Sequence, residues 1–213
     1  MNIEVSGEEL TLLAHKAIWL PLHQLVIISD LHFGKINHFR KSGIPVPPKA
    51  NEKNAEQLID ILNLHKPKKT IFLGDLFHSH YNDEWEVLGQ ITKHFNTCKF
   101  ELVRGNHDIM SEVQYQRHQI QVHENSLSVG RLVLTHEPMA EVPSGYYNLA
   151  GHLHPGIQLR GKARQSMTLP CFHFGQHRGT LPAFGSFTGL ARIKPKKEDR
   201  IFVVVENNVR QLN

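Results

Sequence analysis

The chain has 213 residues, 40% hydrophobic and 21% charged, with 24 Lys and Arg against 20 Asp and Glu for a net charge of +4. That is the make-up of a folded domain with one substantial core, and it excludes disorder. No apolar run approaches a membrane span, since "LVIIS" at 25–29 is far too short, and the acidic start "MNIEVSGEEL" lacks the basic and apolar regions of a signal peptide. Cys98 and Cys171 are too few for a disulfide framework, so a reduced, cytoplasmic setting is expected.

In chain order, "QLVIIS" (24–29) reads as a buried strand: short, β-branched and stopped by polar residues. After "DLHFGK" a short helix is expected over 35–41, followed by the Pro-rich connector "GIPVPP". "KANEKNAEQLIDILNLHK" carries Ala55, Leu58, Ile59 and Leu62 at helical spacing, and Pro67 ends it. "KTIFLG" is the next strand, "DEWEVLGQITKHF" the next amphipathic helix and "KFELV" a third strand. This β-α-β-α-β alternation predicts a parallel sheet with covering helices.

Beyond about residue 118 the pattern changes to short strands bounded by Gly, Pro and Asn: "QIQVHE", "LSVG", "RLVLTHE", "YYNLAGHLH", "GIQLRG", "SMTLPCFHFG" and "RIFVVVEN". No linker or internal repeat divides the chain, so residues 1–213 are expected to form one domain of two stacked sheets flanked by helices.

Sixteen histidines are dispersed along the chain, and five of them fall in polar clusters at predicted strand ends. Strand 25–29 runs into Asp30-Leu31-His32, and strand 69–73 into Gly74-Asp75. Strand 99–103 runs into Gly105-Asn106-His107-Asp108, strand 131–135 into His136, and strand 146–150 into Gly151-His152-Leu153-His154. Alternation in extended chain puts Asp30 and His32 on one side, and likewise His152 with His154. The carbonyl ends of parallel strands converge on one edge, where open α/β sheets place their chemistry. Besides His107 the clusters offer Asp30, Asp75, Asn106, His32, His136, His152 and His154. Mixed oxygen and imidazole donors suit Mn, Fe or Zn, and seven of them are more than one such ion takes from protein, which points to a two-metal site.

The ordered series D-x-H, G-D, G-N-H-D, H, G-H-x-H resembles the calcineurin-like metallophosphoesterase superfamily over residues 30–154. "DLHFGKINHFRKSGIPVPP", "GDLFHS", "LPCF" and "LPAFGSFTG" extend the resemblance to the bacterial ligase-associated DNA-damage-response phosphoesterases, the PdeM subgroup. The resemblance implies a four-layer α/β/β/α sandwich, a pair of divalent cations and phosphoester hydrolysis. It implies that Asp30, His32 and His154 hold one cation, that Asn106, His136 and His152 hold the other, and that Asp75 bridges them. His107 remains to protonate the leaving alkoxide or bind the phosphate, with Asp108 orienting its imidazole and raising its basicity. A DNA-repair context with a ligase and a helicase as functional partners is implied by the resemblance alone.

His38, Arg40 and Lys41 on the expected short helix are candidates for the substrate phosphate, as are His78 and Arg104, although pairing of Arg104 with a nearby carboxylate fits equally. His173 and His177 flank a strand end without an assigned role, and Cys171 reads as a small buried hydrophobe. Basic runs at 66–69, 160–164 and 192–200 suit a nucleic-acid backbone, but solvated faces are the commoner explanation of such runs. The expected activity is phosphodiester cleavage of nucleic acid or nucleotides. A phosphatase and a non-catalytic module on the same fold are the alternatives. The protein Ser/Thr phosphatase pattern G-D-x-x-D-R-G is not met by "GDLFHSH".

Overall fold

The computed structural model describes residues 1–34, 50–77, 81–161, 165–186 and 188–212. The parallel strands anticipated from sequence are β4 (Leu25–Ser29), β5 (Lys69–Leu73) and β6 (Lys99–Val103), joined by β7 (Ile120–His123). Ahead of them β1 (Asn2–Val5), β2 (Glu8–Leu12) and β3 (Ala17–Leu20) form an antiparallel meander on β4, completing a seven-stranded sheet in the order β1 to β7. This meander carried no expectation. β1 and β2 each hold only two alternating apolar residues and β3 is a bare four-residue apolar run, too short to stand out. A hairpin signal was present in Ser6-Gly7, both at positive φ (54° and 83°), which is the backbone of a type I′ turn.

The second sheet has nine strands: β8 (Ser126–Val129), β9 (Leu132–Thr135), β10 (Tyr147–Ala150), β11 (Pro155–Arg160), β12 (Ser166–Phe174), β13 (Arg178–Thr180), β14 (Ala191–Arg192), β15 (Arg200–Val205) and β16 (Asn208–Leu212). The path runs β14-β11-β12-β13-β10-β9-β8, with the hairpin β15–β16 attached to β12. β9, β10 and β13 are parallel and their neighbours antiparallel, so both sheets are mixed.

Three helices lie among the described residues: α1 (Ala50–His65), α2 (Asp83–His94) and α3 (Glu112–Arg117). α1 presents Leu58, Ile61 and Leu62 to the first sheet, and Leu64, off that face, is exposed. α2 starts at Asn82, whose side chain accepts the Glu84 amide, and it buries Trp85, Leu88 and Ile91 on the same layer. The short α3, not anticipated, adds Tyr115.

The central strands are buried on both faces, which explains their largely apolar runs. In β4, Val26 and Ile28 meet the helices while Leu25 and Ile27 meet the second sheet. The inter-sheet core takes Ile71, Leu73 and Val103 from one side and Leu132, Leu134, Leu149, Phe172, Phe174 and Phe202 from the other. Glu101, a carboxylate inside β6, is satisfied by Lys69 Nζ at 2.7 Å and His123 Nε2 at 2.8 Å. The far face of the second sheet carries a smaller cluster of Cys171, Ile201 and Val203, and no helix among the described residues covers it. The architecture is two stacked mixed sheets, with the described helices packed on the outer face of the first. No described helix is long and apolar enough to cross a membrane.

Candidate metal centre

The carboxyl ends of β4, β5 and β6 lie along one edge, and the loops that leave them continue as neighbours. Asp30 donates its amide to Gly74 O at 3.3 Å, His32 to Asp75 O at 2.9 Å and Phe33 to Leu76 O at 3.0 Å. The second sheet delivers the ends of β9 and β10 to the same edge, and the His152 amide meets the Asp30 carboxylate at 3.0 Å. Two glycines permit this approach. Gly74, at φ +69°, leaves room for the His136 ring, which a Cβ would strike. At Gly151 a Cβ would stand 2.6 Å from Asp30 Oδ2 and 3.0 Å from Leu73 O.

Side chains far apart in sequence thereby converge. His154 Nε2 lies 3.3 Å from Asp30 Oδ1 and 3.4 Å from His32 Nε2. The two oxygens of Asp75 divide, Oδ2 standing 3.9 Å from His32 Nε2 and Oδ1 3.5 Å from His136 Nε2. His136 Nε2 is 3.1 Å from His152 Nδ1. Asp30, His32 and His154 form one group able to hold an ion, and Asp30, Asp75 and His136 a second. Asn106 stands at the open side, its Nδ2 donating to Glu137 Oε1 at 3.1 Å.

The backbone is strained where it presents these groups. Asp30, His32, Asp75, His152 and His154 have φ of 51°, 50°, 49°, 64° and 46°. Left-handed backbone costs a non-glycine residue on the order of 1 kcal/mol, and such residues gather where function requires them.

The ring orientations test whether cations fit. His136 donates Nδ1–H to Leu73 O at 3.0 Å, and His154 donates Nδ1–H to Gly189 O at 3.2 Å. Each therefore turns an Nε2 lone pair inward. Imidazole nitrogens 3.1–3.4 Å apart, amid the carboxylates of Asp30 and Asp75, are a natural receptor for divalent ions. The donor set suits the group the sequence implies.

His107 is exposed beside this cluster, its ring 6.2 Å from that of His32 and its amide donating to Asp75 Oδ1 at 3.0 Å. Asp108 has a structural role that was not expected. Its buried carboxylate accepts the amides of Leu76 (2.9 Å), Phe77 (3.3 Å) and Gly105 (2.8 Å), so it ties the loop after β6 to the loop after β5. Those amides engage both oxygens, a bracing role the sequence did not indicate. Burial pushes Asp108 up to about 7, against the pull of the three amides and with Asp75 adding to the rise.

Arg104 takes the carboxylate pairing that the sequence left open. Its Nε donates to both Glu124 oxygens at 3.0 and 3.1 Å, Nη1 donates to Asp108 O at 2.9 Å, and the guanidinium lies 5.6 Å over the Tyr115 ring. Arg104 thus braces the loop through its Nε and Nη1 donors. His38, Arg40, Lys41 and His78, together with the helix expected over 35–41, fall outside the described residues.

Several supporting residues escaped sequence reasoning. Asn54 on α1 accepts the Ser186 amide (3.1 Å) and hydroxyl (2.8 Å), seating the "LPAFGS" segment, whose Phe184 and Gly185 amides bond Ser29 O and Asp30 O. Glu84 accepts the Gly34 amide at 2.6 Å. Buried Asn148 holds the turn after β9. Glu137 follows a predicted ligand directly, and that adjacency was its one visible signal.

The sequence profile of the calcineurin-like phosphoesterases matches residues 23–205, so the chain belongs to that family of metallophosphoesterases, whose members act as hydrolases with divalent metal ions. The chain is similar throughout to the nuclease MPE of Pseudomonas putida, with 29% identity, a TM-score of 0.82, and 100% of this chain and 99% of that one covered. More distant likenesses are the protein AQ665 of Aquifex aeolicus, of unknown function (24% identity, TM-score 0.46, 61% and 78% covered), and the phosphoesterase YfcE of E. coli (15%, 0.44, 88% and 97%). No curated protein matches the chain.

Proposed function

We propose that the chain is a dinuclear-metal-dependent phosphodiesterase of the nuclease type, cleaving nucleic-acid phosphodiesters in DNA repair. The observation that carries this reading is the convergence of inward-turned imidazole nitrogens around Asp75, whose two oxygens face different histidines. Asp30, His32 and His154 would hold one cation, Asn106, His136 and His152 the other, with Asp75 between them. Manganese is the proposed metal, and iron or zinc suits the same donors. When bound, such a pair supplies Lewis acidity that activates water and offsets charge on the phosphoryl oxygens.

The chain's own residues do the rest. His107, exposed beside the cluster, protonates the departing oxygen. His38, Arg40, Lys41 and His78 are proposed to meet the substrate phosphate. Likeness to the Pseudomonas nuclease and the subgroup motifs supports a nucleic-acid substrate. The link to a ligase and a helicase rests on those motifs. We read residues 1–213 as one domain, because the inter-sheet core draws on both ends of the chain, from Val5 to Val204. Two buried free cysteines, Cys98 and Cys171, suit a reduced cytoplasm.

The test is a substrate panel on the full chain, stripped of metal and reloaded with Mn²⁺: single-stranded DNA, a bis-aryl phosphate and a phosphomonoester. Metal-dependent cleavage of both diesters is expected. Turnover of the monoester alone would replace the nuclease reading with a phosphatase, and bound metal without hydrolysis would indicate a binding module.

A further inference from the structure

Glu137 follows His136 directly, and its carboxylate reaches two other residues of the proposed second cation site. Oε1 accepts the Asn106 Nδ2–H at 3.1 Å, and the same oxygen stands 4.0 Å from His152 Nε2. Its backbone is fixed from beneath. Thr135 Oγ1 donates to Glu137 O at 2.6 Å and accepts from Asn148 Nδ2 at 2.8 Å. Asn148, fully buried, also donates to Val133 O and accepts the Met139 amide, each at 2.9 Å. The turn that carries Glu137 is thus wrapped around one immobile amide.

We propose that Glu137 is the positioning carboxylate of the second cation site, acting through Asn106 and His152; this rests on the two-cation reading above. An asparagine amide has two ends, of which only Oδ1 can ligate a cation. Holding Nδ2 on the Glu137 side leaves Oδ1 for the site. For His152 the two nitrogens face opposite ways: Nδ1 points to His136 Nε2 at 3.1 Å, and Nε2 faces the carboxylate. At 4.0 Å the carboxylate is beyond hydrogen-bond reach and acts on Nε2 through its field alone, favouring the tautomer protonated there and leaving the lone pair on Nδ1. Carboxylates placed behind ligating histidines do this in many metal sites, and their loss weakens metal affinity about 10–100-fold. One oxygen serving both neighbours couples them, so losing Glu137 releases both from one site and none from the other.

The experiment titrates Mn²⁺ into metal-stripped wild type, Glu137→Ala and Glu137→Gln, following stoichiometry and affinity by calorimetry and spin coupling by electron paramagnetic resonance. Wild type is expected to take two ions with the spectrum of a coupled pair. Glu137→Ala should leave one ion unchanged, lose about 10–100-fold in the other and show an uncoupled spectrum at limiting metal. Glu137→Gln retains an acceptor for Asn106 and should fall between the two, with thermal stability within normal range even if the alanine variant folds poorly. Unchanged affinity for both ions in both variants would overturn the role of Glu137 while leaving the two-cation reading intact. Equal weakening of both ions would reduce Glu137 to a general structural residue. A wild type that binds a single ion would remove the two-cation reading itself.

Discussion

The candidate centre has a buried half and an open half. Asp30, His32 and Asp75 are 1%, 4% and 4% exposed and stand on loops from adjacent parallel strands that continue to pair beyond the strand ends. Asn106 and His107 are exposed, the His152 side chain is 36% exposed, and Glu137, which contacts Asn106, belongs to the other sheet. The difference teaches that one protein edge can separate holding from turning over. Buried carboxylates need a cation to offset their desolvation, whereas the open donors can admit substrate and solvent.

The strongest way to break that division is Asp75→Ala, because Asp75 faces both halves. Both ions should be lost or greatly weakened, and diester hydrolysis should fall by about 10³-fold or more, as metal analysis and kinetics would show. An activity near wild type would mean that the halves do not share this carboxylate.

His107→Ala sharpens the comparison from the open side. Turnover should drop about 10²–10⁴-fold while both ions stay bound, which separates a proton donor from a ligand. Metal loss equal to that of Asp75→Ala would refute the assignment.

Asp108→Ala probes what supports the buried half. Three backbone amides lose their acceptor, which should cost about 2–4 kcal/mol of stability in denaturant unfolding. If instead stability held and only turnover fell, Asp108 would return to the role of orienting His107.

The smallest effect belongs to Arg104→Ala, outside both halves. Its partner Glu124 is 61% exposed, so the loss should be about 1 kcal/mol or less with KM unchanged. A large rise in KM would restore Arg104 to the substrate phosphate.

Much of this was legible before any coordinates. β4, β5 and β6 announced themselves as short apolar runs because they are buried on both faces, and the turn-prone residues after each run marked the functional edge. Ala55, Leu58, Ile59 and Leu62 indicated the buried side of α1 at helical spacing, although Ile61 also enters the core. The meander β1–β3 stayed hidden because each strand is too short for its pattern to be distinguished from chance.

Local pattern therefore determined which residues stand at strand ends, since strand period, helix period and turn chemistry all act over a few neighbours. It could not determine how those residues divide their bonds. Asp108 bonding to the β5 loop, Arg104 pairing with Glu124 and Glu137 reaching Asn106 depend on groups 20 to 32 positions apart. Pairing of neighbouring strands within the first sheet decides the first two of these contacts, and packing of the second sheet against it decides the third.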